Sequence, residues 1–270
     1  MTVKVLETQL SHIIDALHWL DGSTRHMESK AQPINELLDV EITHITAETG
    51  RLKMIRKPGT IVFHRPDLGR SFPTHPDDSP ITTEAQRKRP EIAPFTLKAV
   101  IRHPQARYNP RQVNLDIGSG KGHSVWLYPA LHHLATSHRA VFGSLRFDDQ
   151  SPARWALLVL DVEYAPGKSV TFHAQADANG DFELPLQGLP PMAKGVDHFK
   201  ATLAINAGML DETEIPDPDN FTLRDIAKSR DAEKGEYDFE DELELALNPN
   251  QRTRLSTAGS ALLFIKQDDD

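Results

Sequence analysis

Residues Ala153–Leu186 read ARWALLVLDVEYAPGKSVTFHAQADANGDFELPL, and their periodicity decides the fold class. Leu160, Val162 and Tyr164 alternate with Asp161 and Glu163, so one face of this run is apolar and the other polar. After Pro166-Gly167, Val170, Phe172, Ala174 and Ala176 share a face; after Asp177-Ala178-Asn179-Gly180, Phe182 and Leu184 alternate with Asp181 and Glu183. Proline presets φ, and glycine accepts the positive φ of tight turns, so each corner has its own turn chemistry. The pattern predicts a β-meander of three strands. Lys200–Ala207 and Ser260–Lys266 are further strand candidates, which makes the C-terminal half an antiparallel β-sandwich.

The N-terminal half follows the same reading more loosely. Ile61-Val62-Phe63 after Pro58-Gly59, Thr96–Ile101, Gln112–Ile117 and Ser124–Tyr128 are predicted strands. Leu6, Leu10, Ile13, Ile14, Leu17 and Leu20 recur at helical spacing and favour a helix over Leu6–Leu20, with a first strand as the alternative. Arg65–Pro94 holds six prolines among polar residues and the basic triplet Arg87-Lys88-Arg89; it is predicted to be a long insertion whose bases lie on a solvated loop. Leu131–Arg139 (LHHLATSHR) is placed as a boundary. The expected fold class is therefore mainly β: two tandem β-sandwich-like domains, 1–136 and 137–270, with a Pro-rich insertion at 65–94. An acidic, partly helical excursion at 211–244 is expected to be helical around RDIAKSRDAEKG.

Composition narrows the chemistry. The 270 residues include no cysteine, which excludes disulfides, thiolate zinc sites, iron–sulfur clusters and cysteine nucleophiles. The net charge of −9 is divided unevenly, +3 over 1–135 and −12 over 136–270, with 14 acids against 4 bases in Asp211–Glu244. Such a segment repels phosphate and disfavours nucleic acid as a partner. The opening lacks a basic n-region followed by an unbroken apolar run, and no stretch reaches the ~18–20 apolar residues of a membrane helix. These features lead to the expectation of a cytoplasmic protein, or one assembled in the cytoplasm into a larger particle, with no membrane partner.

The stretch most suggestive of chemistry is Leu115-Asp116-Ile117-Gly118-Ser119-Gly120-Lys121-Gly122. It resembles the glycine-rich first motif of S-adenosylmethionine-dependent methyltransferases, in which a strand ends in an acid and a glycine turn lets the backbone approach the cofactor. That resemblance implies Asp116, Gly118, Gly120 and Gly122 as cofactor residues, and the next strand, AVFGSLRF, does reach Asp148 and Asp149. A helix must follow the turn, however, and HSVWLY alternates before Pro129 interrupts it. The favoured reading is a glycine-rich hairpin joining Gln112–Ile117 to Ser124–Tyr128. The segment also lacks P-loop spacing, with Gly122 where a Ser or Thr should stand. Asp177–Glu183 spaces oxygen ligands as a calcium loop does but has its glycine at the fourth place, so a turn is preferred. His123, His132, His133 and His138 cluster without a zinc-site spacing. Ser119 and Ser144 lack a nucleophile-elbow setting. Trp126, Tyr128 and Trp155 suit either a sandwich core or a carbohydrate platform.

Ala140-Val141-Phe142-Gly143-Ser144-Leu145-Arg146, then Ser151–Ala156, then Ala176-Asp177-Ala178-Asn179-Gly180-Asp181-Phe182-Glu183-Leu184 resemble carboxypeptidase regulatory-like domains, which are transthyretin-like β-sandwiches. Ala176 stands where threonine is commoner in that pattern. Arg107-Tyr108-Asn109-Pro110 followed by VWLYP at Val125–Pro129 suggests a first sandwich in tandem, an arrangement similar to components of contractile phage tails and injection particles. The resemblance implies a scaffold without catalytic residues. The expectation is a non-enzymatic assembly protein with other proteins as partners and no catalytic, cofactor or metal residues; a methyltransferase and a carbohydrate-binding sandwich are the alternatives.

Overall fold

Strands dominate the described residues, where apolar side chains alternate with polar ones along runs such as Phe95–Arg102, Leu157–Ala165 and Phe199–Ala207. The computed structural model describes residues 11–26, 31–46, 52–66, 94–118, 120–134, 139–231 and 233–267. The bulk of the Pro-rich segment, Leu6–Leu10, Ser119 and His138 lie outside them. In the first half the strands are β1 (Ser11–Asp21), β2 (Asp39–Ile45), β3 (Lys53–Lys57), β4 (Thr60–Pro66), β5 (Phe95–Arg102), β6 (Arg111–Ile117) and β7 (His123–Leu127). The second half has β8 (Ala140–Phe147), β9 (Leu157–Ala165), β10 (Lys168–Gln175), β11 (Asp181–Pro185), β12 (Phe199–Ala207), β13 (Thr222–Arg224), β14 (Ile226–Arg230), β15 (Tyr237–Glu240), β16 (Leu243–Leu247), β17 (Thr253–Arg254) and β18 (Leu263–Ile265). Helical structure among the described residues is limited to single 3-10 turns.

Four sheets form among these residues. In the first half, β3-β4-β1-β7 faces β2-β5-β6. Leu17, Trp19, Phe63 and Val125 from one sheet and Val40, Leu97, Ile101 and Val113 from the other bury one common core. In the second half, β10-β9-β12 continues into β13 and β16, and faces β11-β8-β18-β14-β15. Leu158, Leu160, Phe172 and Leu203 meet Val141, Leu145, Phe182 and Leu263 in a second core. On β12 every other residue from Phe199 to Ala207 is buried, the period-two pattern of a strand with one face on a core. The first core ends at Leu127 in sequence and the second begins at Val141.

Four expectations are corrected. Leu6–Leu20 is not helical where it is described: Ser11–Asp21 is a central strand, antiparallel to β4 and parallel to β7. A bulge between Ile13 and Asp15 inserts one residue into this strand, and the resulting Ile13-Ile14 doublet imitates helical spacing. The residues around Ile226–Arg230 are also strand, turning into β15 through a loop in which Asp231 accepts hydrogen bonds from the amides of Glu233 and Lys234. Gly118–Gly122 does not close a hairpin, because β6 pairs with β5 while β7 pairs with β1 in the facing sheet. Finally, the predicted meander has one hairpin. β9 and β10 pair around Pro166-Gly167, but β11 leaves that sheet and pairs with β8.

The two turns of that stretch differ in the freedom they leave a side chain. Gly167 and Gly180 have φ of +68° and +77°. A Cβ at Gly167 would meet nothing within 4 Å, whereas one at Gly180 would lie 2.3 Å from the Leu145 carbonyl oxygen. Gly167→Ala is expected to cost about 1 kcal/mol from left-handed strain alone. Gly180→Ala is expected to cost about 3 kcal/mol, because backbone must also move. Urea denaturation of the two variants measures the difference.

Candidate functional site

The glycine loop is built around a carboxylate of the same chain. The β1 bulge resets the pleat so that Asp15 lies in register with Leu17 and Trp19 on the inward face, and its side chain is wholly buried. The amide of Gly118 donates to Asp15 Oδ2 at 2.9 Å, and the amides of Gly122 and Ala16 donate to Oδ1, each at 2.9 Å. Gly118, Gly120 and Gly122 all have positive φ, so three glycines let the loop curl its N–H groups inward. His123 Nε2 stands 3.4 Å from Oδ2, an electrostatic contact without hydrogen-bond alignment. Burial by itself raises the pKa of Asp15. The amides of Gly118, Ala16 and Gly122 and the nearby His123 together outweigh burial and hold the carboxyl below its ordinary value.

This geometry bears directly on Asp116, Gly118, Gly120 and Gly122 as cofactor residues. Two of the loop amides that would face a bound anion are given to Asp15, and the turn leads into a strand instead of the helix that the motif requires. The carboxylate of Asp116 accepts a hydrogen bond from the Thr96 hydroxyl at 3.1 Å on the exposed side of β6. Sequence reasoning passed over Asp15, although an acid two residues before Leu17 and four before Trp19 is the signal that would have found it.

A second cluster ties the acidic segment to the first half. Arg111, at the start of β6, is almost fully buried; its Nη1 donates to the Trp126 carbonyl at 2.8 Å. Its Nη2 donates to the Asp219 carboxylate and stands 3.7 Å from Asp217. The Gln112 amide donates to the Pro216 carbonyl at 2.6 Å, so this part of the segment runs against the outer edge of β6. Burial raises the pKa of Asp217, and neighbouring Asp219 adds to that rise while Arg111 opposes it. A cavity of about 530 Å³ lies alongside, lined in part by Val100, Gln112, Leu210, Asp217 and Phe221.

The aromatic residues singled out in the sequence are dispersed into structural roles. Tyr128 is buried, with its hydroxyl 3.2 Å from Arg25 Nη1; its ring lies so close to Gly22 that a Cβ there would sit 2.5 Å away. Trp126 lies under the Arg25 guanidinium, 5.8 Å from its ring centroid. Trp155 takes φ +60°, and its amide and carbonyl bond to the Asp177 carbonyl and the Gln175 side chain. The Asp177 carboxylate accepts the amides of Asn179 and Asp181, an Asx turn in place of a calcium loop. His132 and His133 lie in a 3-10 turn away from the Asp15 contact of His123. Among the described residues no three His, Asp or Glu side chains converge as metal ligands.

Two other histidines meet where the halves touch. His26, just after β1, packs its ring on Phe172 of β10 with centroids 4.8 Å apart. Beside it, His173 is held neutral: burial, then the charges of Arg25 and His26, lower its pKa to about 4. Comparison with family models, curated proteins and solved structures finds no match to this chain.

Two pH effects follow, of opposite chemical origin. Because the folded pKa of Asp15 is depressed, its stabilisation is complete above the unfolded value and is lost as pH falls through the folded one. Asp15→Asn is expected to cost about 3 kcal/mol at neutral pH, since an amide turns a donor towards other donors. That gap should close as pH drops below 3.8, followed by denaturant titration across pH. His173 is neutral in the fold, whereas the unfolded chain protonates it near 6.5, so its contribution to stability should decline as pH falls from 6.5 to about 4 and stay constant below that. His173→Gln should flatten that part of the stability curve.

Proposed function

We propose that this protein is a non-catalytic structural or assembly protein, built of two tandem β-sandwich domains over 1–136 and 137–270, that binds other proteins through sheet edges and its acidic segment. The observation that carries this reading is the occupation of the glycine loop by Asp15. The sequence feature best suited to hold a cofactor directs its Gly118 and Gly122 amides to the chain's own carboxylate, where they fix one sheet to the other. A loop used in that way supports a scaffold role. The resemblance of Ala140–Leu184 to carboxypeptidase regulatory-like domains agrees with it, and a component of a contractile tail or injection particle, assembled in the cytoplasm, is the setting that fits best.

Edge strands suit such a role because their unpaired backbone groups accept a strand from a partner. The acidic segment contributes charge: its residues from Tyr237 onward lie on β15 and β16 and the turn between them. Calorimetric titration with S-adenosylmethionine is expected to give no binding heat, and micromolar affinity would overturn the reading. Cross-linking of the protein within its native assembly is expected to yield links to other proteins from 237–247 and from the sheet edges.

A further inference from the structure

Two edge strands of this molecule are complementary to each other in length and charge. β3 ends one sheet of the first half and pairs with β4 alone; β15 ends a sheet of the second half and pairs with β14 alone, both among the described residues. β3 reads Lys-Met-Ile-Arg-Lys and contains no acid. β15 reads Tyr-Asp-Phe-Glu and runs into Asp241-Glu242 without a base. Lys53 and Lys57 are exposed on the first; Asp238, Asp241 and Glu242 are exposed on the second. Arg56 and Glu240 are already engaged within the molecule, with the Val40 carbonyl and Lys228 respectively. Each edge also carries half-buried apolar side chains, Met54 and Ile55 on one and Tyr237 and Phe239 on the other; Met54 packs on the first core, and the Tyr237 ring lies against Phe239 and Phe264.

Charged edges normally discourage strand pairing between molecules. Here the discouragement is selective. Two β3 edges repel each other, as do two β15 edges, so both two-fold symmetric pairings are disfavoured. A β3 edge meeting the β15 edge of another molecule brings lysines against carboxylates while pairing both sets of open backbone groups. We propose that the chain self-associates head to tail, with the β3 edge of one copy adding to the β15 edge of the next. Because the surfaces differ, the contact is heterologous and propagates into a ring or a filament. The inference rests on the assembly reading above and specifies a second copy as the occupant of these edges.

Sedimentation velocity of the full chain tests it. At about 20 mM salt the wild-type protein should form concentration-dependent oligomers, and at about 500 mM salt it should run as a monomer, because exposed ion pairs are screened. Lys53→Glu/Lys57→Glu and Asp238→Lys/Glu242→Lys should each weaken association by about tenfold or more. An equimolar mixture of the two should recover it, since each variant then presents the edge that the other requires. The substitutions lie at exposed positions, and the salt dependence of the wild type is a test that needs no variant. A wild-type chain that stays monomeric at low salt, or variants that associate as the wild type does, would overturn the proposal. Monomers that instead cross-link through β3 or β15 to a different protein would overturn self-pairing and leave the assembly reading standing; binding of S-adenosylmethionine overturns that reading itself.

Discussion

The buried carboxylate of Asp15 is the constraint around which the first half is arranged. It stands at the inward face of the central strand, in a place that an apolar residue would fill without electrostatic cost. Desolvating a carboxylate is expensive unless donors replace water, and here the amides of Gly118, Gly122 and Ala16 do so. The loop that provides two of them connects β6 in one sheet to β7 in the other. The carboxylate therefore fixes the passage of the chain between the layers and the parallel placement of β7 beside β1. The glycines follow from this: a loop that turns amides towards a single point needs residues at positive φ.

A comparable arrangement recurs where the halves meet, with a cation at its centre. Arg111 is buried at the start of β6 and holds Asp217 and Asp219 from the acidic segment, while the Asn109 side chain reaches the Ala176 carbonyl. These contacts draw part of a segment rich in like charge onto the first half. Its later portion, in β15 and β16, exposes Asp238, Asp241, Glu242 and Glu244, while Glu240 is paired with Lys228. One acidic stretch thus has a part tied to the first half through Arg111 and a later part that keeps most of its field.

Most of the strands were legible in the sequence because alternation reports directly which face is buried. Leu160-Asp161-Val162-Glu163-Tyr164 and Lys200–Ala207 needed only that rule, and Pro58-Gly59 and Pro166-Gly167 marked real hairpins. The local hairpin of β14 and β15 was misread as helix, and the other features that escaped were set by partners distant in sequence. Whether Asn179-Gly180 turns the chain back along the same sheet or sends it across the sandwich is decided by the pairing of β11 with β8, which no local pattern encodes. The bulge in β1 hid a strand behind helical spacing, and with it the inward register of Asp15. Arg111 was invisible for another reason: a lone arginine at a strand start acquires meaning only when residues a hundred positions later come to meet it.

The parallel pairing of β1 with β7 also has a consequence for how the chain is made. Leu17 lies opposite His123, about a hundred residues away. In the second half β8 likewise waits for β18, with Leu145 opposite Leu263. In each half an early strand occupies the middle of its sheet and a late strand completes it, so contacts of large sequence separation must form before either core closes, which slows folding. On the ribosome β1 emerges about a hundred residues before β7 and stays unsatisfied on that side until β7 has been synthesised, leaving an apolar strand exposed for seconds at ordinary elongation rates.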